Sequence, residues 1–153
     1  MEDQRPKTLE HIRQVRKQLD FIIDKLHDRA RDHDISKLEE PEKSIFDEYT
    51  PKLKNTTYGS AEYKQYLKEM KKALDHHYKY NRHHPEHFEQ EADARWKASS
   101  VSCMNLIDII EMFCDWKAAT LRHADGDILN SIKINKKRFG MSEQLCQILI
   151  NTI

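Results

Sequence analysis

Hydrophobic residues recur at spacings of three and four near the start of the chain. This period is typical of one face of a helix, and it predicts an amphipathic helix from Thr8 to about Arg31, with Thr8 as its N-cap. The stripe consists of Ile12, Val15, Leu19, Ile22, Ile23, Leu26 and Ala30. His11 lies next to this stripe. The helix is expected to end around Asp32, so the pair His33-Asp34 falls where the chain bends.

A second helix is predicted from Pro41 to about Thr50, because proline suits the first turn of a helix. It would bury Ile45, Phe46 and Tyr49. Residues 51–59 are predicted to form a loop, and Ser60 to cap a third helix.

The third helix directs a histidine inward. Its apolar line is formed by Tyr63, Leu67, Met70 and Leu74. The next position on that line is His77, whose imidazole is therefore predicted to point into the core. Pro85 favours an extended backbone at His84, so we expect the helix to stop near Arg82, with His83 and His84 on a loop.

A fourth helix is apolar on almost every side and is predicted to be central. Ser99, Ser100 or Ser102 can cap it, and it runs to about His123. An acidic stripe follows this helix, formed by Asp108, Glu111 and Asp115. Burying a carboxylate costs several kcal/mol unless it is paired or binds a metal. We therefore expect these three carboxylates to be paired or to bind a metal.

The last third of the chain is predicted to hold a turn at 125–127 and a helix from Ile128 to Phe139 that stops at Gly140. Ser142 would cap a short final helix, whose packing residues are Leu145, Ile148 and Leu149. The pattern as a whole predicts an all-α protein with about six helices in one domain over residues 1–153.

Composition narrows the choice of partners. Lysine plus arginine and aspartate plus glutamate both number 26, so net charge gives no reason to expect nucleic acid or an anionic membrane. No run approaches the roughly 18 apolar residues of a membrane span, and no signal peptide is recognisable. The three cysteines, Cys103, Cys114 and Cys146, are an odd number. We therefore expect buried free thiols and a cytoplasmic location.

Histidine and aspartate recur in an order that suggests metal binding. An adjacent pair such as His33-Asp34 can offer an imidazole nitrogen and a carboxylate oxygen to one ion. The dipeptide alone is a weak signal, because His27-Asp28 repeats it. Five of the nine histidines lie between residues 76 and 87, however. The ordered set is His11, His33-Asp34, His77, His83-His84 and Asp108.

This order resembles the HD superfamily of metal-dependent phosphohydrolases. The segment His33-Asp34-Ile35-Ser36-Lys37 is similar to the family's His-Asp-x-x-Lys, with Ser36 where glycine is common. The run Asp108 to Asp115 is similar to the final-aspartate helix of family nucleotide hydrolases. The chain also resembles a small family of phage and bacterial HD-like proteins that contain the phrases HHPEHF and DIIEMFCDWKAAT.

The resemblance implies an all-helical HD-like bundle that holds one or two divalent ions of Mn, Fe, Co, Ni or Zn. A first ion would be held by His11, His33, Asp34 and Asp108, with Asp115 as the alternative to Asp108. A second ion would be held by His77 and by His83 or His84, with Asp34 bridging. Candidate phosphate contacts are Lys37, Lys79 and Arg82, with His87 and His123 as surface residues or further contacts. Glu86, Glu111 or Asp115 would orient the water or a ligand histidine.

The leading hypothesis is therefore a phosphohydrolase that acts on a nucleotide or related phosphate ester, with a metal-activated water as nucleophile. Two alternatives stay open: an HD-like di-iron oxygenase, and a non-catalytic helical binding module with a structural metal or none. The expected partner is a small molecule, and a homo-oligomer is compatible with the sequence.

Overall fold

The computed structural model describes residues 3–57, 60–94, 99–122 and 126–153. Over these residues the chain is all-helical, with eight α-helices, three short 3-10 turns and no strand. The prediction of an all-α fold is confirmed, and about six helices was too few. The chain forms two compact units, Met1–His33 and Asp34–Ile153. The single-domain organisation stays a prediction.

The first unit is one long helix, α1, over Arg5–Asp32. It begins earlier than predicted because Pro6 occupies its first turn. Thr8 was wrongly predicted as the cap: it lies inside the helix, where its Oγ1 donates to the Gln4 carbonyl at 3.2 Å. No residue of α1 is buried, including those of the apolar stripe.

The helix ends at the predicted place. His33 is its C-cap and leaves helical geometry with ψ 123°. In the second unit, Asp34 has φ 59°, in the left-handed region that aspartate and asparagine tolerate better than most residues. A 3-10 turn over Ile35–Leu38 follows.

Helix α2 covers Lys43–Lys54 and departs from the prediction at both ends. Pro41 precedes the helix, and Pro51 lies inside it. Proline removes one backbone hydrogen bond and does not by itself fix the last residue of a helix. The residues predicted to be buried on α2 are half-buried, namely Ile45, Phe46 and Tyr49.

The predicted third helix is two helices that meet at Met70, α3 over Ala61–Glu69 and α4 over Lys71–Tyr80. Ser60 caps α3 as predicted, since its Oγ accepts from the Tyr63 amide at 3.1 Å. The inward direction of the apolar line is confirmed, because Met70 and His77 are both 1% exposed. A 3-10 turn over Pro85–Phe88 and the short helix α5 over Glu89–Ala94 follow.

Helix α6 covers Leu106–Thr120 and is capped by Asn105, so the predicted serine caps were wrong. The serines lie before and within a 3-10 turn over Ser100–Cys103. Asn105 and Asp108 form a reciprocal capping box, in which each side chain accepts from the other's backbone amide. The predicted end at His123 lies outside the described residues. Only one side of α6 is buried, since Leu106 is 62% exposed.

Helices α7, over Ile128–Phe139, and α8, over Glu143–Asn151, match the prediction. Gly140 ends α7 with φ 60°, and Ser142 Oγ accepts from the Leu145 amide at 3.2 Å. Ile148 was wrongly predicted to pack, since it is 54% exposed. The core of the second unit comprises Phe88, Val101, Met104, Met112, Phe113, Ile132, Met141, Cys146 and Leu149.

Two further predictions concern the cysteines and the lack of a membrane-spanning segment. The three cysteines are free, but Cys146 is buried whereas Cys114 is exposed. Among the helices that the structure describes, none has both the length and the apolar character needed to cross a bilayer.

We expect Met112→Ala to lower the free energy of unfolding by about 2 to 5 kcal/mol, because it leaves a cavity where a side chain with no exposed surface packed. The matched control is Ile148→Ala, on the exposed side of α8, which should cost less than about 1 kcal/mol. Urea denaturation followed by circular dichroism measures both. Equal losses would contradict the position of the core.

Candidate metal centre

Four side chains of the second unit converge in one place. Asp34 precedes the first 3-10 turn, His77 lies on α4, and His83 and His84 lie on the loop after α4. One donor atom from each lies within 4.8 Å of the others. Asp34 Oδ1 is 3.2 Å from His77 Nε2 and 3.5 Å from His83 Nε2, and the Nε2 atoms of His77 and His84 are 2.9 Å apart.

The three separations, 2.9, 3.2 and 3.5 Å, lie close to those between ligands of one metal ion. Two donor atoms that each lie about 2.1 Å from one ion are roughly 3.0 to 3.4 Å apart, the edges of an octahedron and of a tetrahedron. Three imidazole nitrogens and one carboxylate oxygen form a donor set that suits divalent Zn, Fe, Co, Ni and Mn. The four residues therefore fit a divalent transition metal.

A buried carboxylate contacts the Nδ1 side of the His77 ring, whereas Asp34 lies on the Nε2 side. Glu42 is fully buried, and its Oε2 lies 2.8 Å from His77 Nδ1. Its other oxygen, Oε1, lies 2.7 Å from Nδ1 of the half-buried His76, and Ser36 Oγ donates to Oε2 at 3.0 Å. Sequence reasoning missed Glu42, because nothing in the local pattern around it distinguishes it from the other glutamates of a highly charged chain.

A second carboxylate holds His83 in the same way. Glu111 Oε1, on α6, lies 3.1 Å from His83 Nδ1, and both side chains are almost fully buried. Glu111 was one of the residues predicted to orient a ligand histidine. A carboxylate on Nδ1 with Nε2 turned towards the centre is the usual arrangement around metal-binding histidines. The centre therefore contains this arrangement twice.

His84 has the protonation state that a metal ligand needs. Burial, followed by the neighbouring rings of His83 and His77, lowers the pKa of His84 to about 2, and the Asp115 carboxylate opposes this shift only in part. His84 is therefore neutral near pH 7, and only the neutral imidazole binds a metal. Asp115 also has a carboxylate oxygen within 4.8 Å of one of Asp34.

The second oxygen of Asp34 is bound by a cation of the chain itself. Lys37 Nζ lies 2.6 Å from Asp34 Oδ2 and 5.1 Å from the centre of the Phe46 ring. Lys37 was predicted to contact phosphate. Its side chain is 32% exposed, so Lys37 is accessible to solvent while it is paired with Asp34.

Asp108 was predicted to be a metal ligand, but the structure places its carboxylate elsewhere. It is fully buried and lies outside the groups of donor atoms found among the described residues. Arg82 binds both of its oxygens, at 3.2 Å from Nε and 2.9 Å from Nη2. This ion pair ties the loop that holds His83 to the start of α6. Arg82, predicted to contact phosphate, is engaged with Asp108.

The other predicted site residues are more scattered. His11 and His33 belong to the first unit, where His11 is exposed on α1, and their part in the ligand set stays a prediction. Lys79 is exposed, with its Nζ 5.2 Å from the Tyr80 ring. His87 Nδ1 donates to the Tyr78 carbonyl at 2.9 Å, and Glu86 pairs with Arg138 at 2.6 Å. His123 lies outside the described residues.

Over the described residues, the fold and the cluster define an all-helical protein in which the buried His77 and His83 and the half-buried Asp34 and His84 lie close enough together to hold a metal ion. The chain belongs to DUF5662, described as a family of unknown function, whose sequence profile matches residues 1–153. No curated protein and no solved structure shows significant similarity to it.

Asp34→Asn is expected to change metal binding, whereas Asp108→Asn is expected to change the stability of the fold. Asparagine tolerates the left-handed backbone at 34 but is a poor metal ligand, so Asp34→Asn should weaken divalent metal binding about 10- to 100-fold with little loss of stability. Asp108→Asn breaks the pair with Arg82 and should lower the free energy of unfolding by about 1 to 3 kcal/mol, with metal binding retained. Calorimetric titration and denaturation measure the two effects. Loss of metal in Asp108→Asn at unchanged stability would make Asp108 a ligand.

Proposed function

We propose that this protein is a metal-dependent phosphohydrolase that acts on a nucleotide or a related phosphate ester. The observation that carries the proposal is the convergence of His77 and His83 on Asp34, each with a buried carboxylate on its Nδ1. The order of these residues along the chain, and their resemblance to the HD superfamily, favour hydrolysis of a phosphate ester over other metal chemistry.

Asp34, His77, His83 and His84 would hold the ion. A bound divalent ion supplies a water of lowered pKa and polarises a phosphoryl oxygen. Four donors suffice for one ion, so the proposal does not require a second. His84 is compatible with this role because its imidazole is uncharged near pH 7.

The chain's own charges supply the remaining functions. Lys37 lies at the edge of the centre, where its ammonium group can contact a phosphate oxygen as well as Asp34. Asp115 is partly exposed and close to Asp34, so its carboxylate can accept a hydrogen bond from a water at the centre and take up its proton. Glu111 keeps His83 oriented while these groups act.

Purified protein loaded with Mn, Fe, Co, Ni or Zn should release phosphate or nucleoside from at least one member of a panel of nucleotides and simple phosphate esters. Chelation should abolish the release, and adding back the metal should restore it. A colorimetric phosphate assay with chromatography of the products measures the reaction. Tight metal binding with no turnover on the panel would favour a structural metal, and oxygen uptake by the iron form would favour an oxygenase.

A matched pair of histidine variants tests which residues carry the reaction. His83→Gln should lower kcat/KM at least about 100-fold, because it removes a donor atom from the centre. His27→Gln changes the exposed histidine of the second His-Asp dipeptide and should leave kcat/KM within about twofold. Turnover that survives unchanged in His83→Gln would contradict the proposed centre.

A further inference from the structure

We propose that Glu42 is a positioning residue: it holds His77 in the tautomer that carries its proton on Nδ1, and so presents Nε2 as a donor atom to a divalent cation. Free histidine favours the opposite tautomer, so this arrangement has to be imposed by the surroundings. The inference rests on the metal binding in the proposed function and is independent of hydrolysis.

The hydrogen bonds around His77 Nδ1 account for this tautomer. Three polar groups lie within reach: Glu42 Oε2 at 2.8 Å, Asn81 Nδ2 at 3.1 Å and Ser36 Oγ at 3.2 Å. Asn81 has two N–H groups, which are used by Ser36 Oγ and the His77 carbonyl, each at 2.9 Å. The Ser36 hydroxyl has one proton, which it donates to Glu42. Among the described residues no donor is left over for Nδ1, so Nδ1 itself donates, and the Glu42 carboxylate accepts.

The opposite side of the ring agrees with this assignment. His77 Nε2 lies 2.9 Å from His84 Nε2, and two imidazole nitrogens approach so closely only with one proton between them or with a shared ion. Because the proton of His77 is on Nδ1, the proton between the rings comes from His84 in the metal-free protein. His77 Nε2 is then an acceptor, which is the state that binds a metal.

Burial makes Glu42 dependent on these partners. Its side chain has no exposed surface, and it accepts from His76, His77 and Ser36 together. A buried carboxylate with three donors is firmly held, and the ring that it binds is held with it. Partners of this kind behind a metal ligand typically contribute 10- to 100-fold to metal affinity.

The variant Glu42→Leu removes the acceptor while keeping a similar volume. The Ser36 hydroxyl would then be released from Glu42 and could donate to His77 Nδ1, moving the proton of His77 to Nε2. We therefore expect Co²⁺ affinity to fall 10- to 100-fold, with a changed visible absorption of any Co²⁺ that binds. The matched control is Glu40→Gln, an exposed glutamate of the same segment, which should keep its affinity within about twofold.

The tautomer of His77 can be measured directly in the metal-free native protein. Long-range proton–nitrogen correlation spectra of ¹⁵N-labelled, metal-free protein should show His77 with its proton on Nδ1 in the native chain and in Glu40→Gln, and on Nε2 in Glu42→Leu. A native His77 with its proton on Nε2 overturns the inference even if Glu42→Leu does not fold. So does a folded Glu42→Leu that binds Co²⁺ like the native chain.

The two proposals fail in different ways. Metal affinity that depends on Glu42, in a protein that turns over no phosphate ester, supports the positioning role and counts against the hydrolase. Hydrolysis that is retained in Glu42→Leu at native metal affinity overturns the positioning role and leaves the hydrolase standing.

Discussion

The buried carboxylate of Glu42 is the constraint on which the centre depends. An ionised group without exposed surface costs several kcal/mol unless donors surround it, and here two imidazoles and one hydroxyl do so. These bonds tie the segment that follows Asp34 to helix α4. Because His77 is one of the donors, the interaction that makes the buried charge tolerable also fixes the ring that faces Asp34. Stability and site geometry are therefore coupled at this point of the second unit.

The buried carboxylates of α6, like that of Glu42, are bound by side chains from elsewhere in the chain. Asp108 is bound by Arg82, and Glu111 by His83, so two consecutive residues of the loop after α4 bind two acidic residues of one helix. Three residues apart on a helix, both carboxylates lie on the same side and meet one short stretch of chain. The loop is thereby held to α6 by the Arg82–Asp108 ion pair and by the contact of His83 with Glu111. On its other side α6 contributes Met112 and Phe113 to the apolar core of the second unit.

Predictions from the local sequence were correct where a single residue determines the start or the end of a helix. Gly140 ended α7, and Ser60 and Ser142 capped their helices, because each satisfies backbone groups of its immediate neighbours. They failed where several residues competed. Asn105 caps α6 ahead of three earlier serines, because its partner Asp108 completes a capping box and is itself held by Arg82. The capping box is local, but the arginine that holds Asp108 lies 26 residues away and is not visible in a window of a few residues.

The sequence by itself determined the helical class, the inward direction of His77 and the supply of imidazoles and carboxylates, since period and composition are properties of the chain alone. Only the tertiary structure decided which of these groups meet. It brought Glu42 to His77 across 35 residues, and it placed Asp115 near Asp34 while pairing Asp108 with Arg82. The physical reason is that such pairings depend on how helices pack, and each buried charge takes the partner that the packing brings within hydrogen-bond distance.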